Sequence, residues 1–385
     1  GDVGTERRRY VMMEYHKGQS RMPRLLALLR AVGDAISKRK LVRLLNENHE
    51  GFIAEAQDVL RAGLKTSPWV SVDDTGARHA GKNGFCTQIG NEWFTWFRTR
   101  SSKSRLNFLD LLRAGFTDYV LNDAAYAYMR EHGLPASSIA LLAGCAQTRF
   151  ADQAAWMAHL DQLGFTALAV TPNPVQVATE GALWGSVRAH EFLCNAVILS
   201  DDAGQFNIGR HALCWVHAER LVHKLDTFND LHRAAQTQVR GLIWDFYAEL
   251  RAYQLKPGKR RASSLRARFD RIFLRRTGFV TLDRLLARLY TNKAELLMVL
   301  ERPEIPLHTN GSENDIRSHV TRRKISAGTR SDVGRDCRDA FLSLAKTCDK
   351  LGIAIWDYLG SRFKVAGHAI IEPLDHYVRA RLRPA

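Results

Sequence analysis

The chain has 385 residues, of which 45% are hydrophobic and 25% charged, and its 56 lysines and arginines outnumber 40 acids to leave a net charge of +16. That length exceeds one small core and sets an expectation of two or three domains, or one domain with a large insertion. The composition excludes a disordered chain, no apolar run approaches the roughly 20 residues of a membrane helix, and six cysteines without a C-x-x-C pair suit a reducing cytoplasm better than a disulfide scaffold.

The positive excess favours a polyanionic partner, most simply nucleic acid. No signal peptide is visible, and the chain opens at Gly1 rather than Met, which leaves room for an upstream module. Residues 1–66 read as a helical N-terminal region. An apolar stripe from Leu25 to Val32 ends near Gly33, and a second helix restarts after Ser37, a good N-cap. A helix-turn-helix is one reading of this pair; a plain helical bundle is the better one.

Between Pro68 and Phe97 the period becomes that of strands. Trp69–Val72, Phe85–Ile89 and Trp93–Phe97 read as an antiparallel meander, with Asp73-Asp74-Thr75-Gly76 ending the first strand and Gly81–Gly84 and Gly90–Glu92 as turns. Aromatics on both faces of the third run predict a central strand. A helix from Leu106 and a short strand at Tyr119–Leu121 follow. Residues 122–195 read as an extra helical segment, with helices at Ala124–His132, Asp152–Leu163 and Gly185–Phe192.

Ala196–Ser200 is a continuous apolar strand closed by Asp201-Asp202-Ala203-Gly204, the same pattern that follows Trp69. A short strand at His211–Trp215 leads into residues 219–303, which read as all helix. Residues 256–276 hold nine lysines or arginines and one acid, Asp270. Such one-sided charge suits phosphate contacts, here through Lys259, Arg260, Arg261 and Arg266. Asn310 or Ser312 is expected to cap a helix carrying Glu313 and Arg317, and Arg322, Arg323 and Lys324 to sit in a basic loop around Gly328. Residues 304–385 close the fold with helices.

An acid at the end of a buried strand is costly unless a cation meets it, and hard divalent ions prefer carboxylate oxygen. A two-metal phosphoryl-transfer site gathers several carboxylates around ions about 3.5–4 Å apart. The candidates are Asp73, Asp201 and Glu313, with Asp74 and Asp202 as second choices. A single Asp-Asp pair is more often a turn or cap than a ligand. Two pairs, each closing an apolar strand with a glutamate downstream, carry more weight together.

In this order the motifs resemble the bacterial insertion-sequence transposases of the DDE type, in particular the IS-sixty-six-like group. The resemblance runs from about Ile36 to about Leu359. It rests on Val72-Asp73-Asp74-Thr75-Gly76, on Leu199-Ser200-Asp201-Asp202 followed by Cys214-Trp215-Val216-His217 and Arg220, and on Asn310-Gly311-Ser312-Glu313-Asn314-Asp315-Ile316-Arg317. It implies an α/β protein with a ribonuclease-H-like core: a mixed five-stranded sheet, strands one to three antiparallel, flanked by helices. That core would run through residues 67–218 and resume at 304, interrupted by the helical insertion 219–303. It implies Mg²⁺-dependent cleavage at transposon ends and strand transfer of the freed 3′-hydroxyl into target DNA. By position, Asp73, Asp201 and Glu313 would hold two Mg²⁺ ions, for which Mn²⁺ would substitute. Asn310, His217 and Arg220 would support the site, and Arg317, Arg322, Arg323 and Lys324 would join the DNA contacts. The implied partners are double-stranded DNA and further copies of the chain, a homodimer or higher assembly, in the bacterial cytoplasm and away from membranes.

Three alternatives compete. His190, Cys194, Cys214 and His217 give H-x₃-C and C-x₂-H, a zinc-like set, although buried small cysteines account for the pattern better. A non-catalytic DNA-binding protein derived from a transposase would keep the basic surface without turnover. Another ribonuclease-H-like nuclease would keep the acids, but the large helical insertion fits it less well.

Overall fold

The computed structural model describes residues 4–168 and 171–382. Four helices open it: α1 (Thr5–His16), α2 (Met22–Ala31), α3 (Lys38–Asn46) and α4 (Glu50–Thr66). Then come β1 (Trp69–His79), β2 (Lys82–Gly90), β3 (Thr95–Arg100), α5 (Arg105–Leu112), β4 (Tyr119–Val120), α6 (Asp123–Glu131), α7 (Ala136–Ala143), β5 (Arg149–Phe150), α8 (Gln153–Gln162) and α9 (Pro174–Ala189). After β6 (Val197–Ser200) and β7 (His211–Leu213) the described elements are helical: α10 (Trp215–His223), α11 (Asp230–Leu255), α12 (Lys259–Phe273), α13 (Val280–Thr291), α14 (Lys293–Leu296), α15 (Asn310–Ser326), α16 (Asp332–Leu351), α17 (Ile355–Arg362) and α18 (Leu374–Leu382). The chain divides into two compact units, 1–67 with 74–194 and 314–385, and 68–73 with 195–313.

Five strands form a mixed sheet in the order β3-β2-β1-β6-β7, and β4 and β5 make a separate pair. β2 and β3 run antiparallel, whereas β6 is parallel to β1 and β7 to β6. β1 is longer than its sequence suggests. It continues through Gly76 to His79, so the two aspartates lie within the strand and not at its end. The turn to β2 is the two-residue Ala80-Gly81, both at positive φ (48° and 78°), the hand that matches the twist of flanking strands. The expected turn at Gly81–Gly84 is therefore one step late.

β3 is an edge strand, contrary to the central position that its aromatics predict. Its free edge is met by α16 instead. Asp339, Ser343 and Thr347, one turn apart on that helix, accept the backbone N–H groups of Thr99, Phe97 and Thr95 at 2.7, 2.9 and 3.2 Å. Four helical residues rise about 6 Å, close to two strand residues, so the two periods stay in step. Trp96 and Phe97 are buried on an edge because helices cover it. Beside β2 and β3, Ala77, Cys86, Phe97 and Ile316 form a small core.

In the same unit α9 is buried nearly all round. A Cβ on its Gly185 would collide with the Val120 carbonyl, so glycine sets how closely β4 approaches. This helix starts at Pro174 with Asn173 as its cap, eleven residues before the expected start at Gly185. In the second unit α10 to α14 surround Trp215, Phe246, Phe269, Phe273, Leu282 and Leu286. Within the 219–303 segment that reads as all helix, α13 stops at Thr291, and α14 and a 3₁₀ turn over Met298–Leu300 follow.

Candidate functional site

Register places the first two acids abreast. Trp69, Val70 and Ser71 pair with Val197, Ile198 and Leu199, and Asp73 and Asp201 each stand two residues beyond the last of these pairs. Side chains alternate along a strand, so Asp73 shares the face of Trp69 and Ser71, and Asp74 takes the opposite one. On the Asp73 face Trp69, Val197 and Leu199 pack with Ala212, Met298 and Ile305, which brings the chain before α15 onto these strands. Ser312 in the first turn of α15 donates to Ser71 Oγ. The helix is thereby pinned to β1 two residues from Asp73, and Glu313 is the next residue. Thr309, not Asn310 or Ser312, precedes the first helical residue, and its carbonyl accepts the Glu313 N–H at 3.0 Å.

The Glu313 carboxylate is met from α10. His217 Nε2 and an Arg220 guanidinium nitrogen lie 3.5 Å from Glu313 Oε1. These two residues are one turn apart, so one face of α10 presents both. Trp215 fixes that helix: its side chain is buried, its indole donates to the Leu296 carbonyl at 2.9 Å, and its backbone N–H to Leu307 at 2.9 Å. Neither cation is close enough for a hydrogen bond, and Glu313 Oε1 is a buried oxygen without one. A buried carboxylate oxygen without a hydrogen bond is a group that a cation would satisfy.

Cys214 and His217 are coupled. Their hydrogen bond is the main reason the His217 imidazole titrates above its ordinary range, with burial opposing and Asp201 adding to the rise. For Cys214, burial alone would push the thiol up, but bonds to His217 and Thr309 outweigh it and hold the thiol below its usual range. A cavity of about 400 Å³ lies here, lined by Asp201, Asp202, Cys214, His217, Arg220 and Arg288 among others. Asp202 is engaged by the helical insertion, with an ion pair to Arg288 and a bond from Asn292 at 3.1 Å. Asp201 Oδ1 accepts the Ala203 N–H at 3.1 Å.

Other acids near the third position have partners of their own. Glu304 pairs with Arg302 at 2.6 Å and Glu301 with Arg266 at 3.8 Å. Asp315 is buried against Lys350.

The expected basic surface divides. Lys259, Arg260, Arg261 and Arg266 are exposed along α12, and Arg317 and Lys324 are exposed on α15. Arg322 is not at the surface: it is 7% exposed, stacks over Tyr15 at 4.0 Å and donates to the Tyr15 and Ser20 carbonyls. Arg323 donates to the Gly76 carbonyl. All three residues of the expected loop, Arg322 to Lys324, belong to α15. The zinc-like set also has other partners. His190 bonds Asp118 at 3.0 Å and stacks on Phe116, and Cys194 is exposed, not a buried hydrophobe. Sequence reasoning passed over Arg288 of α13 and Asn292 just past its end, which together hold Asp202.

Residues 187–336 match the family model described as Transposase IS66 family, a span that carries Asp201, His217, Arg220 and Glu313 and begins after Asp73. The chain is also 50% identical, over 323 residues, to an uncharacterized protein, y4jO, of Sinorhizobium fredii (strain NBRC 101917 / NGR234), covering 84% of this chain and 100% of that one. With the family's model running from α9 into α16 and a relative matched along its entire length, the chain belongs to the IS66 family of transposases.

Proposed function

We propose that this transposase is a DDE enzyme with a ribonuclease-H-like core, which cleaves DNA at transposon ends and joins the freed 3′-hydroxyl to target DNA. The observation that carries the reading is the shared register of Asp73 and Asp201 on parallel strands, with Glu313 pinned beside them through Ser312 and Ser71. Asp73, Asp201 and Glu313 would hold two Mg²⁺ ions, and Mn²⁺ would substitute. Such ions, when bound, supply the charge that activates a water or 3′-hydroxyl and offsets negative charge on the leaving oxygen.

The protein's own groups do the positioning. Asp73 within β1 and Asp201 at the end of β6 stand on a rigid sheet, and the first turn of α15 favours a carboxylate at Glu313. Asp202 is taken up by Arg288 and Asn292, which favours Asp201 as the ion-holding acid of the pair. Arg220 is exposed enough to reach a DNA phosphate from its place beside Glu313. The exposed cations of α12 extend the phosphate contacts, and further copies of the chain would complete the assembly on paired ends.

The test is a nicking and joining assay in Mg²⁺, on a plasmid bearing the terminal sequences that flank the gene. Asp73→Ala, Asp201→Asn and Glu313→Gln are each expected to retain DNA binding and lose more than about 100-fold in cleavage, as befits removal of an ion-holding acid. Cleavage that survives Glu313→Gln would move the third acid elsewhere. DNA binding with no metal-dependent cleavage in the wild type would leave a DNA-binding protein only.

A further inference from the structure

Away from the three acids, a second set of donors converges in the interior of the other unit. Cys86 of β2, His319 of α15 and Asp339 of α16 each offer a ligand atom, and these atoms lie within 4.8 Å of one another. All three residues are buried, at 0%, 1% and 1% exposure. Among the described residues, neither ring nitrogen of His319 has a hydrogen-bond partner. A buried imidazole with neither nitrogen satisfied is costly and calls for an explanation.

We propose that Cys86, His319 and Asp339 form a buried structural site for one divalent cation of the zinc class. Thiolate, imidazole and carboxylate together suit zinc and exclude Mg²⁺ and Ca²⁺, which take oxygen donors. Zinc bonds of about 2.0–2.3 Å require donors somewhat closer than they stand, a closure that small side-chain rotations supply. Asp339 Oδ1 accepts from Arg338 and Thr99, while Oδ2 accepts only the Thr99 N–H at 2.7 Å and keeps a lone pair. The three protein donors account for three of the four tetrahedral positions. Binding replaces the Cys86 S–H bond with an S–metal bond and releases that proton to solvent, one per ion. The ion would fasten α15 and α16 to β2 within their unit, a role independent of the three acids.

The full chain, purified under reducing conditions and stripped with a chelator, is titrated with Zn²⁺ or Co²⁺. The expected result is one zinc per chain retained after desalting, a thiolate-to-cobalt charge-transfer band in the near ultraviolet, and a higher Tm with zinc. Cys86→Ser should abolish the band, weaken zinc binding at least 100-fold and remove the Tm rise. His319→Gln carries the same test should the serine variant not fold. A wild-type chain that retains no zinc and shows no band overturns the site. So does a band that persists in Cys86→Ser, which would assign it to another cysteine.

Discussion

Asp315 stands two residues from Glu313, and the two acids should fail in opposite ways. Asp315 Oδ2 lies 2.5 Å from Lys350 Nζ and 2.6 Å from Thr95 Oγ1, and the Asp315 and Lys350 side chains are only 7% and 17% exposed. Asp315→Asn preserves shape but leaves the Lys350 charge with two carbonyls, Asn91 at 2.6 Å and Phe94 at 3.2 Å. At an effective dielectric of about 20 the lost attraction is on the order of 6 kcal/mol. The carbonyls offset part of it, so the net loss should be about 3–5 kcal/mol, the range for breaking a buried pair. Lys350 already titrates below the ordinary lysine range because of burial, with Asp315 opposing the shift. Removing Asp315 lowers the folded-state pKa further, so the unfolded chain binds the extra proton. Stability of the variant must then rise with pH, and its deficit must narrow as pH rises towards the ordinary lysine range, about 10.4. Urea unfolding followed by tryptophan fluorescence measures this, with Asp315→Asn/Lys350→Met expected to recover most of the loss. A deficit under about 1 kcal/mol, a double variant no better than the single one, or a deficit indifferent to pH would refute the reasoning.

Three further outcomes are expected. Arg322→Ala should cost about 2–3 kcal/mol, through lost carbonyl bonds and the Tyr15 stack, while the folded fraction binds DNA as before; a thermal melt paired with filter binding separates the two effects. DNA affinity should fall steeply with salt, and Lys259→Gln and Arg260→Gln should each reduce the log–log slope by about 0.9; an unchanged slope would remove α12 from the interface. Burial brings the His211 pKa down to about 4, so the unfolded chain takes up that proton first as pH falls from about 6.5, and up to about 3 kcal/mol is lost by pH 4. His211→Gln should flatten that part of the pH–stability curve relative to wild type.

The apolar runs before Asp73 and Asp201 are readable because buried strands carry a continuous hydrophobic signature, whereas the mixed five-stranded sheet is implied by the family resemblance. Periodicity does not reveal where a strand stops. Gly76 reads as a turn, yet a glycine is tolerated inside β1, and the real turn falls at Ala80-Gly81. Charge runs were legible as charge but not as surface: nothing near Arg322 in sequence announces Tyr15, some 300 positions earlier, as its stacking partner. The position of Glu313 followed from its motif, whereas the Ser312–Ser71 bond that pins it depends on long-range packing.

The rungs that Asp339, Ser343 and Thr347 extend to β3 have a consequence for behaviour in concentrated solution. An unpaired strand margin is a template on which a stranger's strand can grow, and a helix that occupies the amides denies it that foothold. Shaving Ser343 and Thr347 to alanine would bare those amides. The first symptom should be self-association of otherwise folded molecules, not loss of the fold.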